Sequence, residues 1–153
     1  MSQDATRTAP PADSIILGYG PMLPTLAAAI GAWVLPPPWP LWALHLGILW
    51  AAMILIFIAG VRRGFGFGFP AASKAASIAS SLGYFVLAGV ALVLASPVLA
   101  LIPLLFGYAL VALLDRRAAQ HGDAPAYFAA LRPRQMLVAL LGLAGLWAWV
   151  LTR

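Results

Sequence analysis

Residues 75–114 read AASIASSLGYFVLAGVALVLASPVLALIPLLFGYALVALL, a run of 40 residues without a charge. As one helix it would be about 60 Å long at 1.5 Å per residue, twice the hydrocarbon thickness of a bilayer. Two helices must share it, and Ser96-Pro97 is the natural turn between them. The expected spans are about 76–95 and 97–114. The first is the less hydrophobic, because Ser77, Ser80 and Ser81 fall near its start.

Working outward, residues 15–35 hold no charge over 21 positions, with Asp13 or Ser14 placed to cap a helix there. That length again matches the bilayer core. PPPWP at 36–40 stops it, since proline offers no amide donor and does not continue a helix. A second uncharged run, 41–60, ends at Arg62-Arg63, and a last one covers about 135–151. The expectation is an all-α integral membrane protein, a bundle of about five transmembrane helices in a single membrane domain over 15–152.

Composition agrees. The chain has 153 residues, is 63% hydrophobic and 8% charged, and contains no Cys. Soluble domains carry about 25% charged residues, so lipid is the solvent for most of this surface. Absence of Cys excludes disulfides, thiolate metal sites and Cys nucleophiles. The polar segment 1–14, rich in Ala and Pro, reads as a short disordered tail. It lacks the positive start of a signal peptide and the arginine richness of a transit peptide.

Charge then sets an expected orientation. Five spans place Arg7, Arg62, Arg63, Lys74, Arg116, Arg117, Arg132 and Arg134 on one side and only Arg153 on the other. By the positive-inside rule the N-terminus is in and the C-terminus out. Merging spans three and four would put the basic loops on opposite faces. The net charge of +5 fits anionic lipid headgroups better than nucleic acid, because the basic residues cluster at the ends of apolar runs. No internal repeat of the inverted-transporter kind is present.

The stretch AGVRRGFGFGFP at 59–70 looks like a phosphate loop in composition but not in spacing. Lys74 has no glycine behind it, and Gly64, Gly66 and Gly68 give G-x-G-x-G after a membrane helix rather than a strand. The expectation is a cytoplasmic connector, mobile at its glycines, with Arg62 and Arg63 facing headgroups and Phe65, Phe67 and Phe69 at the interface. Gly60 and Gly64 have the spacing of a close helix contact, but Arg62 and Arg63 between them at the membrane edge disfavour a tight seam there. Ser73, Ser77 and Ser81, with Ala76, Ser80 and Gly83, form a small-residue stripe suited to a neighbouring helix.

His45 falls two turns into span two, and an intramembrane ionisable residue is a functional candidate. A bis-His haem needs a second ligand, and His121 belongs to a loop on the opposite side, so the expected role is a neutral, hydrogen-bonded packing residue. Tyr84 and Tyr108 read as packing residues with satisfied hydroxyls. The string Asp115-Arg116-Arg117 ends span four, and an Asp115–Arg62 or Asp115–Arg63 pair is expected to pin spans two and four. Pro125, Tyr127, Phe128 and Leu131 suggest a short interfacial helix with an aromatic face.

Four segments carry a resemblance: LGYGPMLPTLAAA at 17–29, ILIFIAGVRRG at 54–64, LLDRRAAQHGDAPAYFAALRP at 113–133, and the apolar C-terminal span. Together they resemble a family of small bacterial and mitochondrial membrane proteins of unknown function that includes transmembrane protein 69. Its members usually read Gly-Gly-x-His-Trp-Gly at the end of span two. Here Gly60 and Gly64 match, Ala59 replaces the first glycine, and Arg62-Arg63 replaces the His-Trp pair. The resemblance implies an inner-membrane location and about five helices, with no established activity.

There is no paired carboxylate, Ser-His-Asp set or metal-ligand cluster in the pattern. The expectation is therefore a non-enzymatic accessory, assembly or stabilising subunit of a larger complex in a bacterial cytoplasmic membrane, without cofactor or metal. Its partners would be anionic headgroups and a membrane protein or further copies of itself. The alternative is a small oligomeric transporter or channel, with His45 and the span-three serines facing a pathway. The candidate residues are His45, Arg62, Arg63, Asp115 and Arg116.

Overall fold

The computed structural model of the protein describes residues 12–68 and 73–153. Most of the expected polar tail, with Arg7, and the interfacial Phe69 lie outside these residues. Helices joined by short turns make up the described chain, and five of the helical segments are long and apolar enough to cross a membrane.

The first long apolar segment is built from α1 (Ala12–Tyr19), a 3-10 turn (Gly20–Met22) and α2 (Leu23–Val34). Helix α1 already includes Ala12, so it starts before both of the expected cap positions. The interruption follows from Pro21 and Pro24, which withdraw two amide donors within four residues. The Trp50 indole donates to the Pro21 carbonyl at 2.8 Å and ties this turn to the neighbouring helix.

Helix α3 (Trp39–Gly68) starts in the proline-rich turn and runs for 30 residues, about 45 Å. It continues eight residues beyond the expected end at 60. The segment RRGFGFG is thus helix and not connector. Glycine weakens a helix by roughly 1 kcal/mol each, and packing of Arg62 and Gly66 against the next helix offsets that cost. Helix α4 (Lys74–Val93) is capped by Ser73, whose hydroxyl accepts the Ala76 amide at 3.3 Å. Helix α5 (Pro97–Gln120) starts with proline in its first turn, as the Ser96-Pro97 reading requires.

Helix α5 ends in a Schellman arrangement. Gly122 adopts φ +82°, the Gly122 amide bonds Ala119 O at 3.5 Å, and the Asp123 amide bonds Ala118 O at 2.8 Å. Helix α6 (Phe128–Leu151) begins seven residues before the expected 135 and takes in Arg132, Pro133 and Arg134. No separate interfacial helix forms. Phe128 and Leu131 are buried, and Phe128 meets Phe65 edge-to-face at 5.5 Å. The two phenylalanines with Ala118, Ala119, Ala124 and Tyr127 make a small second core at this end. Phe65 therefore packs inward, whereas Phe67 is exposed.

Short connections make successive helices antiparallel. Each packs on the next, α6 returns to α2 to close a ring, and α3 touches α5 across the middle. The core runs along this α3–α5 seam through Leu55, Leu104, Tyr108 and Val111. The Tyr108 hydroxyl donates to Ala51 O at 3.0 Å. The α2–α6 seam is closer still. A Cβ on Gly142 would lie 2.8 Å from the Thr25 carbonyl carbon and 2.9 Å from the Leu26 amide nitrogen, so only glycine fits there. Trp33 donates to Gly145 O at 3.0 Å in the same seam. The outer surface is apolar, with Ile16, Phe57, Leu82, Val93 and Phe106 among its exposed side chains.

Candidate functional site

Antiparallel packing brings the C-terminal ends of α3 and α5 together with the N-terminal ends of α1, α4 and α6. The basic residues of the described chain other than Arg153 gather at this end. Arg62 and Arg132 turn into the bundle, whereas Lys74, Arg116, Arg117 and Arg134 are exposed.

Asp115 is the centre of the buried set, at 1% exposure. Its Oδ2 lies 3.4 Å from Arg132 Nε, and its Oδ1 accepts the Tyr84 hydroxyl at 3.4 Å. The Arg132 contact is ionic and not an aligned hydrogen bond, since Nε has no hydrogen-bond partner. The Arg132 guanidinium also covers the Phe128 ring at 4.3 Å from its centroid. One carboxylate thereby joins α4, α5 and α6. The expected partners of Asp115 were Arg62 or Arg63, and neither forms that ion pair. Arg62 is engaged by α4, and Arg63 points along its own helix, 4.4 Å from the Phe67 centroid.

Arg62 is 4% exposed, so it does not face headgroups. Its Nε donates to Ser80 Oγ at 3.0 Å, and Ser80 in turn donates to Ala76 O at 2.7 Å. Its carbonyl accepts the Ser77 hydroxyl at 2.7 Å, while Ser81 donates to Ala59 O at 2.8 Å. The span-three serines thus zip α4 to α3. The opposite edge of the same stripe, at Ala76, Ala79 and Gly83, borders a cavity of about 410 Å³ between α4 and α5. Arg62, Ser80, Tyr84, Arg117, His121 and Asp123 supply its polar lining and Leu110 and Leu114 part of its apolar wall.

His45 is at the opposite end, exposed, with Nδ1 2.7 Å from Leu41 O of its own helix. It is hydrogen-bonded as expected but not packed in the core. His121 makes the same kind of contact with Arg117 O at 2.7 Å. The two histidines share no site, and neither do His45 and the α4 serines. Tyr84 and Tyr108 are fully buried with their hydroxyls paired. Arg116, expected beside Asp115, projects from the bundle.

Three participants escaped the sequence reading: Arg132 as the ion partner, Ser80 as the Arg62 acceptor, and Gln135, which is 1% exposed and packs against Gly18. For Arg132 a signal existed. Asp115 and Arg132 sit nearly equidistant from the turn at Ala124, so a helical hairpin puts them at one depth. No family model matches the chain, and no curated protein or solved structure matches it.

Proposed function

We propose that this chain is a non-enzymatic, multi-pass protein of a bacterial cytoplasmic membrane, N-terminus in and C-terminus out, that stabilises or helps assemble a larger membrane complex. The observation that carries the partner reading is the outer face of α3. Extension of that helix puts Gly60, Gly64 and Gly68 at intervals of four along one line. Among the described residues, a Cβ at any of the three would meet no atom within 4 Å. Within the chain, the glycine approach at Gly142 is filled by α2. On α3 the equivalent backbone surface is open, which suits a transmembrane helix of another polypeptide.

Orientation rests on the single charged end described above, with the cytoplasmic side being the basic one. Exposed Trp33, Trp39 and Trp42 at the other end suit a headgroup-level aromatic belt. The test is purification from native membranes in mild detergent, comparing wild type with Gly64→Leu. A stoichiometric membrane partner that co-purifies with the wild type and is lost from the stably folded variant supports the reading. A solitary wild-type monomer overturns it.

A further inference from the structure

Arg62 contributes to a second environment besides the serine zip. Among the described residues, Nε is the only guanidinium nitrogen of Arg62 with a hydrogen-bond partner, and Nη1 is buried without one. A buried arginine with open donors is costly unless an acceptor completes it. Asp115, which contacts Arg132 and Tyr84, forms no ion pair or hydrogen bond with Arg62. What Arg62 does border is the cavity of about 410 Å³ between α4 and α5.

The chemistry of that cavity is two-sided. Exposed Arg117 and His121 line it together with buried Arg62 and half-buried Ser80. The one acid there, Asp123, accepts the Ser73 amide at 3.3 Å through Oδ1. Apart from Tyr84, whose hydroxyl is taken by Asp115, the rest of the wall is apolar and includes Leu110, Leu114 and Ala79. An anion with several acceptor oxygens and an attached hydrocarbon chain matches both parts. Arginine suits phosphate oxygens through its fork of donors.

We propose that the α4–α5 cavity is a binding site for the phosphodiester headgroup of an anionic membrane phospholipid, held by Arg62 and Arg117 with its acyl chain along Leu110 and Leu114. This rests on the proposed membrane insertion and not on the partner subunit. It also gives the buried position of Arg62 a purpose beyond joining α3 to α4.

The test reconstitutes the purified protein with equal dioleoylphosphatidylglycerol and dioleoylphosphatidylcholine and reads retained lipid by native mass spectrometry. Selective retention of phosphatidylglycerol is expected, falling about fivefold in Arg117→Gln, from the loss of one surface cation. Gly83→Leu is expected to abolish retention by filling the cavity. Gly83 is open, with no atom within 4 Å of an added Cβ, and Arg117 is exposed, so both variants should fold. Equal retention of the two lipids, or unchanged selectivity in both variants, overturns the proposal. Inorganic phosphate that stabilises the lipid-free protein as well as phosphatidylglycerol does would assign the site to a free anion and overturn it too. Alkaline extraction of native membranes separates the two failures: a chain released by it refutes membrane insertion, whereas a chain retained without lipid selectivity refutes only this site.

Discussion

Arg132 Nε on α6 lies 3.4 Å from Asp115 Oδ2 on α5, with Asp115 at 1% exposure. An ion pair this deep stabilises little against an apolar replacement, yet breaking it leaves one charge stranded. Asp115→Ala alone should cost about 3–5 kcal/mol. The double variant Asp115→Leu with Arg132→Met should recover most of that. Thermal unfolding in a fixed detergent reads both. Reversal of Asp115 with Arg132 should rescue better than reversal of Asp115 with Arg62, and the opposite order would refute the observed pairing.

The α2–α6 seam depends on one missing side chain. Gly142→Ala puts a methyl group against the backbone of Thr25 and Leu26 and should cost about 1–3 kcal/mol through overpacking. Gly60→Ala, with open space around it, should leave the melting temperature unchanged or raise it slightly. Equal effects at the two positions would rule out the seam.

The serines of α4 divide into two kinds. Ser77→Ala and Ser81→Ala each remove a hydroxyl from a carbonyl that its own helix also serves, and should cost about 0.6 kcal/mol each. Ser80→Ala strands the Arg62 Nε donor and should cost about 1–3 kcal/mol. Unfolding of the three single variants under identical conditions decides the ranking.

Orientation is open to a direct label. The chain contains no Cys, so single cysteines report without background. Leu35→Cys, beside the proline-rich turn, should react with an impermeant maleimide in intact cells. His121→Cys should react only after permeabilisation. The reverse pattern would place the N-terminus outside.

Much of the fold was legible because long uncharged runs leave a coarse mark on sequence. Runs of bilayer length and proline stops lead to five long apolar helices without any knowledge of packing. Helix ends were legible where a local signal existed, as at Ser96-Pro97. They were not legible at Gly68 or Phe128, where tertiary contacts decide. Glycine and arginine at 60–68 suggest a connector to any local rule, and only Ser77, Ser80 and Ser81 on another helix make helix the better state. The candidate site suffered the same blindness. Asp115 stood out as a carboxylate at the edge of an apolar helix, but its near-equal distance with Arg132 from Ala124 points to a pair only if α6 already starts at Phe128.

Closure of the ring by α6 on α2 has a consequence for biogenesis. The α1–α2 segment is made before α6 and must wait for it before it gains its tightest neighbour, the Gly142 backbone against Thr25 and Leu26. Until then only α3 shelters it, with the Trp50 clasp on Pro21. A pause in translation or a premature stop before α6 would leave the α1–α2 segment with one apolar face uncovered, in the state a chaperone or a quality-control protease is best placed to meet.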